Sequence, residues 1–377
     1  MPPADDAAAL HKPRPAQIRS GKALPDKFGE GFCWDAWYVA CLSPDLKPGK
    51  AEKREYLGEP VLLGRTRTGQ VYALRDICPH RAAALSAGKI HREADGTDSV
   101  ECPYHGWRFG SDGACKSIPS LTADSDFDIS KVRVRRYPTL EQQGMVWIWM
   151  ASDPRFDGQP PEPPPTIPGV TGVPKLVDHL DYDIHIDHAV LGLIDPAHGP
   201  FVHQQWWWRT KTSQHEKKKS FCPSEAGFTM VRHEPSKNSK AYAILGGEPL
   251  TEITFRLPGL RWEHVVVGDK QVLALSAMTP INAKKTRMNQ IMWSDHWAFT
   301  AFHPVIRVAA RAFLRQDGKI VEAQTPGLQC NPPLMWVGDA DQQARWYHQC
   351  KREWNASRKE GRTFVNPVRD QTLRWRT

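Results

Sequence analysis

Nothing in this sequence stays apolar long enough to cross a bilayer: no run approaches about 18 residues without charge or proline. A transmembrane helix is therefore not expected. Cysteine is scarce, with Cys33, Cys41, Cys78, Cys102, Cys115, Cys222, Cys330 and Cys350 scattered over 377 residues. That excludes a disulfide scaffold and leaves most of them as small buried apolar residues. No glycine-rich dinucleotide or flavin fingerprint is present, so nicotinamide would have to act through another protein. There is no internal repeat. The first 33 residues lack an apolar core segment and are broken by proline and charge, so they read as a loose arm and not a signal peptide, which makes the cytoplasm the expected compartment. Acidic excess is lacking too: 50 Lys and Arg face 42 Asp and Glu, for a net charge of +8. The positive charge is dispersed, and its one tight run, Lys217 to Lys219, reads as a solvated face. Without a nucleic-acid motif, an acidic protein partner steered by charge fits better than nucleic acid.

The length suffices for two domains, each with its own core. From about Trp37 to Met150 the pattern is strand-like: EPVLLGRTRTGQVYALRD is two apolar runs about a Thr-Gly turn, and GMVWIWMA is a buried strand. A proline-rich connector, Asp157 to Pro174, forbids helix and central strand. The expected division is an arm over 1–33, a first domain over 34–155 and a second over 156–377. In the second, helix is expected near 183–203, then strands around 227–233, 251–256, 262–267, 271–280 and 286–293, then helices near 301–315 and 340–356. Strands followed by helices predict an α+β unit.

Two short pieces, C-P-H at Cys78 to His80 and C-P-Y-H at Cys102 to His105, carry the most chemistry. Each supplies one thiolate and one imidazole, with 21 residues between them. Two Cys and two His can hold a [2Fe–2S] centre with both imidazoles on one iron, which raises its reduction potential. A structural zinc ion also accepts this ligand set. Zinc knuckles usually pair like with like, whereas each knuckle here is mixed, and Pro79, Pro103 and Gly106 suit tight loops whose amides face sulfur. The pattern C-x-H, then C-x-x-H-G-W, resembles the Rieske family, with Cys78, His80, Cys102 and His105 as the implied cluster ligands.

Further on, D-P-A-H-G-P-F-V-H brings Asp195, His198 and His203 into nine residues. Two imidazoles plus a carboxylate make the facial triad of non-haem Fe(II). Five helical residues rotate two side chains about 140° apart, so Gly199 and Pro200 must break the helix for both rings to converge. His185 and His188 form a competing pair, with Asp181, Asp183 and Asp187 close by. A Rieske-like pair of knuckles followed by D-x-x-H-x-x-x-x-H resembles the large (alpha) subunit of Rieske non-haem iron oxygenases over nearly the whole chain. That resemblance implies an N-terminal all-β Rieske domain followed by a helix-grip (START-like) catalytic domain with a curved antiparallel sheet. It implies a mononuclear Fe(II) held by His198, His203 and a distant acid. Asp317, in R-Q-D-G-K-I-V-E, looks like that acid, with Glu322, Asp339 and Asp341 as alternatives; Asp317-Gly318 also reads as a turn pair. Asp195 is then the carboxylate that bridges an iron-bound His and a neighbouring subunit's cluster His, although it also suits a helix N-cap ahead of Pro196. Leu191 and Gly192 depart from the family, many of whose members carry Asn there.

The resemblance further implies electrons from a separate ferredoxin or NAD(P)H-dependent reductase, O2 as co-substrate, and a homotrimer. The C-terminal half looks closest to the monooxygenase and demethylase branch. Hydroxylation or oxidative demethylation of a bulky hydrophobic or aromatic substrate is expected, with ring cis-dihydroxylation and a non-enzymatic Rieske electron carrier as alternatives. Trp206, Trp207 and Trp208 could wall a pocket or fill a core or interface.

Overall fold

The computed structural model describes residues 28–203, 214–235 and 247–377. The three tryptophans at 206–208 lie outside the described residues. Among the described residues the strands form four antiparallel sheets. The expected hairpin is present: Glu59–Arg65 pairs with Val71–Arg75, with Leu62 opposite Leu74 and Leu63 opposite Ala73. Gly69 takes the left-handed conformation (φ +96°) that closes its turn. This hairpin belongs to a four-stranded sheet with Lys50–Tyr56 and Arg136–Tyr137. A second four-stranded sheet runs Lys89–Arg92, Asp98–Glu101, Arg108–Gly110, Cys115–Ser117. A third sheet joins Ala36–Leu42, Met145–Met150 and Thr139–Gln142.

Met145–Met150 is buried on both faces, and the alternation of its side chains explains why. Val146, Ile148 and Met150 share a core with Tyr38, Leu63 and Phe255. Met145, Trp147 and Trp149 instead pack with Trp262, Leu275 and Trp293 of the large C-terminal sheet. The two halves are therefore joined by apolar packing as well as by the connector. Residues 151–175 carry neither helix nor strand, and they are tied down where Trp37 Nε1 donates to the Glu162 carbonyl at 2.8 Å.

The C-terminal sheet has eight strands, in the spatial order Leu176–Tyr182, Lys285–Ser294, Lys270–Asn282, Leu260–Val267, Leu250–Arg256, Gly227–His233, Glu216–Ser224, Gln371–Arg376. The five expected strands are all there; the first and the last two of this order were not foreseen. The lysine run is part of one of them. Lys217 is buried and Lys218 exposed, so the run alternates across a sheet and is not a wholly solvated face.

The helical piece expected near 183–203 is helix α1 (Ile186–Ile194) and the single turn α2 (Gly199–Val202); the break falls at Asp195 to His198, and Gly199 and Pro200 open the second turn. Helices α3 (Trp297–Ala301) and α4 (His303–Glu322) follow the last long strand, then α5 (Thr325–Leu328) and α6 (Gln342–Glu360). Helix α4 runs through Asp317-Gly318, so that pair does not form a turn. Gly318 instead makes room for a neighbour: a Cβ there would lie 2.6 Å from the Tyr182 ring.

Candidate metal centres

Each knuckle is a closed loop. The Cys78 amide donates to the Ala83 carbonyl at 2.8 Å, and the Cys102 amide to the Trp107 carbonyl at 2.8 Å. Gly106 sits at φ +71° with Pro119 against it. The loops bury the sulfurs and expose the imidazoles: Cys78 and Cys102 are buried, His80 and His105 exposed. The two His rings lie 4.7 Å apart, with Trp107 stacked on His80 and Tyr104 on His105. Burial pushes the Cys78 thiol up to about 11, while the backbone amides of His80 and Arg81, directed at its sulfur, pull the other way. A buried sulfur facing amide dipoles suits a thiolate stabilised by a metal. Among the described residues, ligand atoms of three or more such side chains come within 4.8 Å of one another at His198, His203 and Asp317, and not at the knuckles. Cys pairs with Cys and His with His, as two linked irons require. One tetrahedral zinc would draw all four together.

In the second half, α2 ends at His203, whose backbone leaves helical geometry (φ −103°, ψ 57°). That turn offsets the unfavourable five-residue step, and the rings of His198 and His203 come to 5.3 Å between centroids. Asp317 reaches them from the middle of α4: its Oδ1 is 2.9 Å from His203 Nε2 and 3.5 Å from His198 Nε2. His203 Nε2 and Asp317 Oδ1 are buried, yet neither makes a hydrogen bond of good geometry. Donor atoms at right angles around a first-row metal with bonds of about 2.1 Å would lie about 3 Å apart. The observed spacings fit such an ion. Burial would raise the Asp317 carboxyl, but the two imidazoles hold it below the ordinary carboxylate range. Burial likewise opposes charge on His198, yet Asp195 and Asp317 together raise that ring to about 9.

Asp195 caps the C-terminus of α1, not the N-terminus of a helix; its Oδ1 accepts from the Ala197 amide at 2.7 Å. Its Oδ2 lies 3.7 Å from His198 Nδ1, on the side of the ring away from Asp317. The competing set goes elsewhere. His185 Nδ1 accepts from the Asp187 amide, and Asp187 is paired with Lys351 Nζ at 2.7 Å. Asp181 is held by Arg287, Glu322 accepts from the Asp183 amide, Asp339 from the Arg374 amide and Asp341 from the Val337 amide. Two residues escaped the sequence reading. Gln316 Oε1 lies 3.0 Å from His203 Nδ1, and Phe313 stacks on the same ring at 3.6 Å. Phe313 and Asp317 are one helical turn apart, the only hint the sequence offers. The departure at Gly192 has a steric cause, since a Cβ there would lie 2.5 Å from Val321 Cγ2.

Residues 36–138 match the Rieske [2Fe-2S] domain, and residues 182–354 match the vanillate O-demethylase oxygenase C-terminal domain. The chain belongs to the Rieske non-haem iron oxygenases, and its fold and order of parts are those of their large (alpha) subunits. Its cofactors are a [2Fe–2S] cluster and a mononuclear iron. Among relatives, chlorophyllide a oxygenase of Arabidopsis thaliana is 32% identical over 171 residues, 44% of this chain and 28% of that protein. The 4β-methylsterol monooxygenase of Methylococcus capsulatus is 32% identical over 142 residues, 38% of this chain and 36% of that one. The chain thus matches only about a third of these relatives' length. The crystal structure of dicamba monooxygenase bound to dicamba shares the fold, with a TM-score of 0.66 at 22% identity over 88% of this chain and 99% of that one.

Proposed function

We propose that this chain is the oxygenase component of a multi-protein system. It takes electrons from a separate ferredoxin or NAD(P)H-dependent reductase and uses O2 to hydroxylate or oxidatively demethylate a bulky hydrophobic or aromatic molecule. One observation supports this role above others: the convergence of ligand atoms of His198, His203 and Asp317, those of His203 and Asp317 buried without a hydrogen bond, in a chain that also carries the two mixed knuckles. Cys78, His80, Cys102 and His105 would hold the cluster, and His198, His203 and Asp317 the iron. When bound, these groups supply stored single electrons and dioxygen activation.

The side chains do the positioning. Gln316 accepts the Nδ1 proton of His203, which leaves the Nε2 lone pair free to ligate. Asp195 stands where it can hold the Nδ1 proton of His198. Its carboxylate is 40% exposed and the cluster histidines are exposed, which supports a bridge from Asp195 to a cluster His of the next copy and hence a homotrimer. The vanillate O-demethylase match and the 4β-methylsterol monooxygenase relative support monooxygenation or demethylation, and the 34% identical 3-chlorobenzoate-3,4-dioxygenase subunit of Comamonas testosteroni keeps ring dihydroxylation as the second reading. The six cysteines outside the cluster form no disulfide, which suits a reducing compartment such as the cytoplasm.

Metal analysis and turnover test this together. An oxygenase should bind about three Fe per chain, a carrier about two and a zinc module none. His198→Ala should keep the cluster's colour and its magnetic resonance signal when reduced, but lose product formation in a substrate screen with a surrogate reductase. Retained turnover, or a colourless protein holding only zinc, would refute the assignment.

A further inference from the structure

Helix α4 is apolar on two sides. Its buried side, with Leu314, Gly318 and Val321, faces the sheet. Roughly half a turn away, Phe302, Val305 and Val308 form a stripe at three-residue spacing and are 49%, 68% and 71% exposed. Trp297, at the start of α3, extends that stripe: it is 65% exposed, and its ring lies 6.1 Å from that of Phe302. A contiguous apolar face of this kind marks an interaction surface.

The charge around it has one sign. From His296 to Gln316 the sequence contains Arg307, Arg311 and Arg315 and no Asp or Glu. Arg307 and Arg315 are exposed, as is Lys319 one turn further on. Arg311 is the one engaged with an acid, Asp178, at 3.5 Å, and still has 42% of its side chain exposed. Of the acids at either end, Asp295 accepts from the Gln271 amide, and Asp317 faces the two histidines. Trp, Phe and Val on one stripe, with the exposed Arg315 and Lys319 on its edge further along the helix, is the composition of a helix that lies in the headgroup plane of an anionic bilayer. A two-fold contact between copies of this face would set cation against cation, and a head-to-tail contact, as in a ring, would show in the solution mass measured below.

We propose that α3 and the first half of α4 dock the chain peripherally on an anionic membrane surface. Trp297, Phe302, Val305 and Val308 sit below the headgroups, and Arg315 and Lys319, on the adjoining edge of the helix, lie against lipid phosphates. No helix among the described residues is long and apolar enough to cross a membrane, so the association is peripheral and reversible. If the substrate is apolar, as proposed above, it partitions into the same bilayer, and the helix that carries Asp317 would also be the one touching it. That last point rests on the proposed function; the docking does not.

Co-sedimentation of the full chain with vesicles tests it without any turnover measurement. Binding is expected to vesicles of phosphatidylcholine with phosphatidylglycerol, to weaken as salt rises, and to be absent with phosphatidylcholine alone. Arg315→Gln should weaken it about fivefold, and Val305→Glu with Val308→Glu at least about tenfold. Both variants should keep the cluster absorption and the solution mass of the parent. Three results would overturn the proposal: no binding to the anionic vesicles at low salt, equal binding by the double variant, or a change in that variant's oligomeric mass. The last would mean that a second copy covers the face. Vesicle binding by a protein that fails every oxygenase assay would leave the docking standing and sink only the proposed function.

Discussion

His203 is held on three sides. Phe313 lies flat against its ring, Gln316 meets Nδ1, and Asp317 meets Nε2. A ring whose tautomer is already set by an acceptor need not reorganise to bind a metal. Replacing Gln316 by Leu should therefore lower affinity for the mononuclear iron by about 10- to 100-fold while leaving the cluster spectrum alone. Gln316→Glu keeps an acceptor and should retain the metal. Iron per chain after limited chelation reads both variants, and full loading of Gln316→Leu would show the Nδ1 contact to be incidental.

Two glycines set how α4 seats on its neighbours. At Gly192 of α1 a Cβ would meet Val321, and at Gly318 of α4 it would meet Tyr182. Alanine in a helix ordinarily gains about 1 kcal/mol over glycine. Here overpacking opposes that gain, so Gly192→Ala alone should destabilise by about 1–3 kcal/mol. Combined with Val321→Ala, whose own cost is measured separately, the loss should shrink or change sign, and a double-mutant cycle in denaturant would read the coupling. Additive effects would mean that the helices simply move apart. The same element shows where sequence reading stops. Met145–Met150 and the strands of the large sheet were legible because apolar residues alternate or run together in them. Glu216–Ser224 was not, because three lysines mask an alternation that appears only once Lys217 is seen buried opposite Trp375. Asp317-Gly318 reads locally as a turn, and only the Tyr182 ring, far away in sequence, explains why glycine belongs inside the helix. For the candidate site, the residues that the structure brings together, His198, His203 and Asp317, have a spacing or setting the sequence displays. Gln316 and Phe313 do not, because no local pattern says which ring a glutamine will meet.

Across the whole molecule, a buried polar knot ties the start of the described chain to its last long helix. Lys351 Nζ binds both oxygens of Asp187 at 2.7 Å and the carbonyls of Glu30 and Gly31. Tyr347 and the Gly29 amide also donate to Asp187. Removing one partner, as in Lys351→Met, leaves a buried charge and should cost about 3–5 kcal/mol. His185 beside it adds a pH dependence. Burial, only partly offset by Asp187, lowers that ring from 6.5 to about 4. The folded state then binds fewer protons than the unfolded state between these values. The stability His185 contributes is full above about pH 6.5 and lost as pH falls towards 4, with about 2 kcal/mol gone by about pH 5. Asp187, held below its ordinary value of 3.8, adds a further loss only in stronger acid. Thermal unfolding across this range should show the fall, and His185→Gln should flatten it.

Because Trp147 and Trp149 pack in one core and Val146 and Ile148 in a second, and both cores mix residues of the large sheet with residues of the first half, one strand zips both halves of the chain together. Neither half should survive the loss of the other as a well-behaved fragment. Heating should bleach the cluster and abolish turnover over the same few degrees, as a single event.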